Sequence, residues 1–329
     1  MRSLLSYNKK LTVYLFFSAF LLIGVFIFRD YGISIDEDNT RVVGFLSLEY
    51  VFKIFAPEYI PDLNKIISGD KLAHPNLDMV PSTGSTFDLP MAFLEFLFKI
   101  EDSREYFLLR HLSTFLIFFI SVCFFFQIIK QRYNSWMIGI LGAAFLILSP
   151  RIFANSFYNS KDMIFMSLFV INLYVAINFL EKQNFKSAII FSAVSGLIIN
   201  ARIFGLFFPP LVFLIYLINI FRKGNNKKKI IKPFLICLIL IPVFIFLFWP
   251  YLWVSPLENL LHTLKELSAH ELHIYTFYLG EHVFTSIPPW HYHLNWMLIT
   301  TPLLYSILFI VGFVFIIQRT IRRLLKIEK

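Results

Sequence analysis

The chain has 329 residues, of which 57% are hydrophobic, 19% aromatic and only 16% charged. Soluble domains carry about 25% charged residues, so this composition excludes a water-soluble enzyme, and 41 Phe against 12 Gly excludes a disordered or collagen-like chain, which lacks such apolar surface. The formal net charge of +9 invites a nucleic-acid partner, a reading that the placement of the charge removes below.

A membrane-spanning helix needs about 20 mostly apolar residues. In chain order, spans are predicted near 11–28, 106–129, 136–150, 163–180, 187–201, 203–221, 232–249 and 295–317. The third and fifth are short for a span, so tilted, broken or re-entrant helices are expected there. The first run is too long for a signal peptide and lacks a small-residue cleavage site, so it reads as an uncleaved anchor. The chain is therefore expected to be an all-α integral membrane protein with about eight transmembrane helices, 1–329 forming one membrane domain. Cys123 and Cys237 lie deep in apolar runs and are expected to pack as small hydrophobes.

Between the first two spans, 29–105 is a long polar segment. Asp36 and Glu37 follow closely on the first span. The apolar spacing over 42–55 and again over 89–100 predicts two helices lying in the interface, with a small domain packed on itself as the alternative. Pro57 to Pro90, rich in Pro and Gly, is predicted to be loop. The next junction, 150–162, reads as a short turn but carries Arg151, Asn155, Asn159, Lys161 and Asp162. Charges near lipid are costly unless paired or wet, and an Arg151–Asp162 salt bridge closing the turn is the bland reading. Arg202 stands between two spans; it either snorkels to headgroups or holds a phosphate with its planar fork. In the last long polar segment, 250–294, the aromatics mark an interfacial belt, and Leu257 to Leu272 is predicted to be an amphipathic helix. His270 with His273, and His291 with His293, leave a divalent metal open, although no Cys or HExxH accompanies them.

Charge fixes a predicted orientation. With a cytoplasmic amino terminus, the segments 1–10, 130–135, 181–186, 222–232 and 318–329 hold 18 Lys and Arg against Glu181 and Glu328, and the other side holds 12 basic and 19 acidic residues. This is the positive-inside pattern. It accounts for the basic balance without nucleic acid, and it puts both termini in the cytoplasm. The segments 29–105 and 250–294 then become the first and last outer loops, and all eight histidines fall on the outer side or at the outer ends of spans.

At these residues the sequence resembles the dolichyl-phosphate-mannose protein O-mannosyltransferases and their bacterial relatives, including the lipid A aminoarabinose transferases. The resemblance rests on Asp36-Glu37 after the first span, Arg110-His111 opening the second, Pro150-Arg151 to Asn159-Ser160-Lys161-Asp162, Ala201-Arg202-Ile203-Phe204-Gly205, and Pro288-Pro289-Trp290-His291-Tyr292 with Thr301-Pro302. It implies a GT-C-like polytopic helix bundle and a membrane glycosyltransferase. Such an enzyme moves mannose or another hexose or pentose from a polyprenyl-phosphate-linked donor to an acceptor hydroxyl on a protein, lipid or glycan. By the same resemblance Asp36 is the base, with Glu37 as its orienting partner or alternative. Arg151, Lys161 and Arg202 stabilise the leaving phosphate, and Asp162 orients Lys161 or binds the acceptor. Asn159, Arg110, His111, His291 and Tyr292 are implied to bind substrate. No cofactor is implied with certainty. The compact size and the resemblance lean toward a bacterial inner membrane. The competing classes are a transporter or flippase, and a noncatalytic partner in envelope assembly.

Overall fold

A computed structural model describes residues 2–59, 84–222, 227–268 and 275–327. The middle of the Pro-rich loop with His74, the pair His270 and His273, and the end of the helix expected to reach Leu272 lie outside the described residues. The chain divides into two compact units, Met1–Ser268 and Ala269–Lys329.

The first unit is helical. Its helices are α1 (Arg2–Ile27), α2 (Glu37–Phe55), α3 (Asp88–Leu97), α4 (Ser103–Tyr133), α5 (Trp136–Ile147), α6 (Pro150–Tyr158), α7 (Ser160–Lys182), α8 (Phe185–Ala201), α9 (Phe208–Arg222), α10 (Lys227–Phe248) and α11 (Pro256–Ser268). Among the described residues six helices are long and apolar enough to cross a membrane, including one in the second unit, and a seventh is counted if α5 and α6 form one broken span. The fifth expected span, 187–201, is α8, which is apolar but has only 17 residues. The protein is thus an all-α, multi-pass membrane protein. The shortness of the third and fifth runs has a structural counterpart: α5 and α6 meet at a 68° bend.

That bend is written locally. Ser149 is extended and Pro150 follows at the first helical turn, where its missing N–H and fixed φ suit a helix start. The junction expected as a short turn is therefore a nine-residue helix, α6. The next start is capped by Asn159, whose side-chain oxygen accepts the Asp162 amide at 3.0 Å, satisfying one orphan N–H of α7.

Two apolar clusters hold the bundle. One joins α7, α8, α9 and α10 around Phe179, Phe191 and Tyr216, whose rings stack at 5.2 and 4.8 Å. The other joins α1, α4 and α6 around Phe20, Phe115, Phe118 and Phe157. Phe157 stacks on Phe115 at 5.1 Å and on Tyr31 at 4.4 Å, so a column of three rings fixes both α6 and the segment leading to Asp36. Lipid tails are as apolar as these rings, so helix association draws on close packing and interhelical hydrogen bonds. Asn172 of α7 and Ser195 of α8 supply one such bond at 3.3 Å, with both side chains fully buried.

The helices expected at 42–55 and 89–100 are present as α2 and α3, and they pack on each other through Phe45, Leu48, Phe52 and Ala92. Helix α2 starts earlier than expected, at Glu37. The polar run Glu37-Asp38-Asn39-Thr40-Arg41 hides the start, although acids in a first turn suit the helix dipole. Gly44 lets the pair close: a Cβ there would lie 2.4 Å from the Asp88 carbonyl oxygen. Gly44→Val should therefore lower stability by about 1–3 kcal/mol through overpacking, seen as a lower melting temperature in detergent. A melt matching the wild type would show that α3 can move aside freely.

The second unit holds a two-stranded antiparallel hairpin, β1 (Tyr275–Tyr278) and β2 (Glu281–Phe284), then α12 (Tyr292–Thr300) and α13 (Leu303–Ile327). The hairpin turns through Leu279 and Gly280, both at positive φ, as a two-residue turn between twisted strands requires. The run expected as one span over 295–317 is two helices. Thr301 is extended because a residue before proline is pushed out of the α region, and the long apolar helix starts only after Pro302.

Candidate active site

The N-terminus of α2 delivers the acidic pair, and its two members are treated differently. Glu37 is buried. Its Oε2 accepts the Ser34 amide at 2.6 Å, and its Oε1 lies 2.9 Å from His111 Nε2. That approach does not make a hydrogen bond, and both ring nitrogens of His111 are buried without a hydrogen-bond partner. Asp36, one residue earlier, is exposed, and its side chain does not cap the helix. The Ser34 hydroxyl donates to the Tyr158 carbonyl at 3.2 Å, tying the segment before Asp36 to the end of α6.

Next to His111 on α4, Arg110 is 1% exposed. Its Nη1 donates to Asp88 Oδ1 at 3.0 Å, while its Nε and Nη2 are buried without partners. A guanidinium is always charged and carries five donors, so this one retains capacity for another acceptor. Burial pushes the Asp88 carboxyl up, while Arg110 and, more weakly, Lys161 draw it back. The Lys161 charge is therefore felt at Asp88, although Lys161 makes no ion pair among the described residues.

The third group gathers where α7 begins. Asn159 donates to Asp162 Oδ2 at 3.0 Å and to Asn155 Oδ1 at 3.1 Å. Asp162 in turn accepts from Arg202 Nη2, and Arg202 Nε is buried without a partner. The bridge considered between Arg151 and Asp162 is not the one formed. Arg202 takes that place because α8 ends against the start of α7. Arg151 stands exposed in the first turn of α6, at the opposite end of that helix from Tyr158.

The structure thus brings Glu37 to His111, Arg110 to Asp88, and Asn159 and Arg202 to Asp162. Ser34 links the first group to α6, and the consecutive pairs Arg110-His111 and Lys161-Asp162 link the groups to one another. His291 and Tyr292 lie in the second unit. There, Asn295 Nδ2 donates to the Tyr278 hydroxyl at 2.7 Å, and that hydroxyl lies 2.7 Å from His291 Nδ1. Asn295 Nδ2 also lies 3.4 Å from His291 Nδ1, so the three side chains form one cluster.

Three residues escaped the sequence reading. Asp88 is the partner of Arg110, and an acid directly before an apolar helix was its only signal. Arg41 and Glu95 form a buried pair at 2.5 Å, with the Arg41 guanidinium 3.9 Å above the Tyr106 ring. Among the described residues no three of His, Cys, Asp and Glu gather as a metal site.

Residues 89–249 match the family model of dolichyl-phosphate-mannose-protein mannosyltransferase. The match takes in Arg110, His111, Arg151, Asn159, Lys161, Asp162 and Arg202. It begins after Asp36, Glu37 and Asp88 and ends before His291 and Tyr292. The matched stretch is thus similar to a membrane mannosyltransferase family, and the apolar helices make the chain a multi-pass membrane protein. Neither a curated protein nor a solved structure matches the chain.

Proposed function

We propose that this glycosyltransferase moves mannose or another hexose or pentose from a polyprenyl-phosphate donor to an acceptor hydroxyl, at the outer face of what is by resemblance a bacterial inner membrane. The observation that carries this reading is the division of labour between neighbouring acids. Both oxygens of Glu37 are engaged, by Ser34 and His111, whereas Asp36 is exposed. Asp36 is then the base that takes the acceptor proton, and Glu37 fixes the turn that presents it. The acceptor oxygen forms its bond to the anomeric carbon as the bond to the lipid phosphate breaks, and the phosphate leaves with the electron pair. Fixed cations stabilise that developing charge without reorganising; Arg110, Lys161 and Arg202 are the candidates, with Arg151 at the far end of α6. Asp162 holds Arg202 and, through Asn159, the start of α7. His291 and Tyr292 are proposed substrate contacts. Protein, lipid and glycan remain the three acceptor classes.

The transporter reading draws less support. Such proteins place ionisable groups near mid-membrane at broken helices. Here the buried mid-span Asn172 bonds to Ser195 within the bundle, and the half-buried Asn178 bonds to the Tyr174 carbonyl of its own helix. The test is purified protein in proteoliposomes with a radiolabelled polyprenyl-phosphate sugar and an envelope extract as acceptor. Release of lipid phosphate matched by label in a product supports transfer. Movement of intact donor across the bilayer without cleavage points to a flippase, and neither outcome points to an assembly partner.

A further inference from the structure

Helix α8 ends at Ala201, and Asn200 is its last buried residue. The Asn200 side chain is 0% exposed and is spent on two other segments of the chain. Its Oδ1 accepts the Thr86 amide at 3.1 Å. Its Nδ2 donates to the carbonyl of Phe248, the last residue of α10, which has no acceptor role left within its own helix. An amide accepts and donates at once, so one side chain joins the ends of α8 and α10 to the loop that enters α3. The Thr86 hydroxyl adds a bond to the Leu197 carbonyl at 3.1 Å. A Cβ on Gly84 would lie 1.4 Å from the Asn200 carbonyl oxygen, so glycine is what lets the loop come this close.

Two cation candidates hang from this junction. Arg202 follows Asn200 by two residues, extended at the end of α8, and its Nη2 reaches Asp162. Asp88 follows Thr86 by two residues and accepts from Arg110 Nη1. Two residues of chain span at most about 7 Å, so the backbones of Arg202 and Asp88 are both held close to the junction that one amide makes. Both guanidiniums keep buried N–H groups without a partner. We propose that Asn200 is a positioning residue, which fixes the spacing between Arg202 and the Arg110–Asp88 pair and so places two cations for the leaving phosphate. The assignment rests on the proposed transfer reaction. A fixed cation stabilises developing charge only where it already stands in place, and a misplacement of about 1 Å can cost on the order of 10²-fold. A purely structural amide is available for comparison. Asn172 is equally buried and bonds Ser195, but no charged residue lies within two positions of it.

Asn200→Ala should lower kcat per folded enzyme by about 10- to 100-fold. The donor KM should change less, because the charge to be met develops in the transition state. Affinity for polyprenyl phosphate, which carries that developed charge, should fall with kcat. Asn172→Ala should lower the melting temperature and leave both kcat per folded enzyme and polyprenyl phosphate affinity at wild-type values. In an Arg202→Ala background, Asn200→Ala should cost less than it does alone, since one of the groups it places is gone. If Asn200→Ala does not fold, Thr86→Val removes only the hydroxyl bond to Leu197 and should show a smaller loss of the same kind. Wild-type kcat in folded Asn200→Ala or in its substitute Thr86→Val, an equal loss in Asn172→Ala, or full additivity with Arg202→Ala overturns the proposal. Should the wild type transfer no sugar, polyprenyl phosphate affinity decides alone. A fall in Asn200→Ala but not in Asn172→Ala upholds the positioning role and refutes only the transfer reaction; no fall in Asn200→Ala refutes both.

Discussion

Asp36→Asn is expected to lower sugar transfer by a factor of about 10²–10⁴, the usual worth of a positioned general base, while expression, membrane insertion and melting temperature stay at wild-type levels. The two halves of that expectation have separate grounds. Asparagine keeps the shape but cannot take the acceptor proton. The Asp36 side chain is exposed and does not cap α2, so replacing it breaks nothing in the fold, and surface changes of that kind stay within about 0.5 kcal/mol. Glu37→Gln provides the contrast, since it weakens the contact to His111 and should lower the melting temperature. Near-full activity in Asp36→Asn would remove Asp36 as the base and pass the role to Glu37 or Asp162.

The largest effect on stability is expected at Glu95→Ala. Glu95 and Arg41 are 2% and 5% exposed. The pair ties α2 to α3, and the Arg41 guanidinium lies over Tyr106 of α4. Removing one partner of a buried ion pair costs about 3–5 kcal/mol. Thermal unfolding in detergent should therefore shift far down for Glu95→Ala. The double variant Arg41→Met/Glu95→Leu should recover much of the loss, because apolar replacements of similar size remove the stranded charge. Transfer activity should follow stability in the single variant, since α2 carries Asp36. A single variant that melts like the wild type would show that water reaches the pair.

Much of the fold was legible because hydrocarbon enforces it. Apolar runs of sufficient length appear as helices, and the two weakest runs became the bent pair and the short α8. What the sequence hid depends on single residues overriding a pattern. Ser149-Pro150 starts a helix inside a segment that looked like a turn, and Thr301-Pro302 cuts a run that looked continuous. The site was legible as a set of residue types at the ends of spans, but not as pairs. Asp162 had two arginines to choose from, and the end of α8 beside the start of α7 selected Arg202. Nothing local to Arg110 points to Asp88, which is 22 positions away. Asp36 and Glu37 looked equivalent, and only burial separates them.

The proposed transfer is a single displacement at the anomeric carbon, assisted by one carboxylate and driven by release of a lipid phosphate at this cluster. The most direct measurement is the anomeric configuration of the product formed from a donor of defined configuration, read by NMR alongside the yield of polyprenyl phosphate. One lipid phosphate per sugar transferred and a product of opposite configuration to the donor are expected. Retained configuration, or sugar release without lipid phosphate, would contradict the proposed transfer.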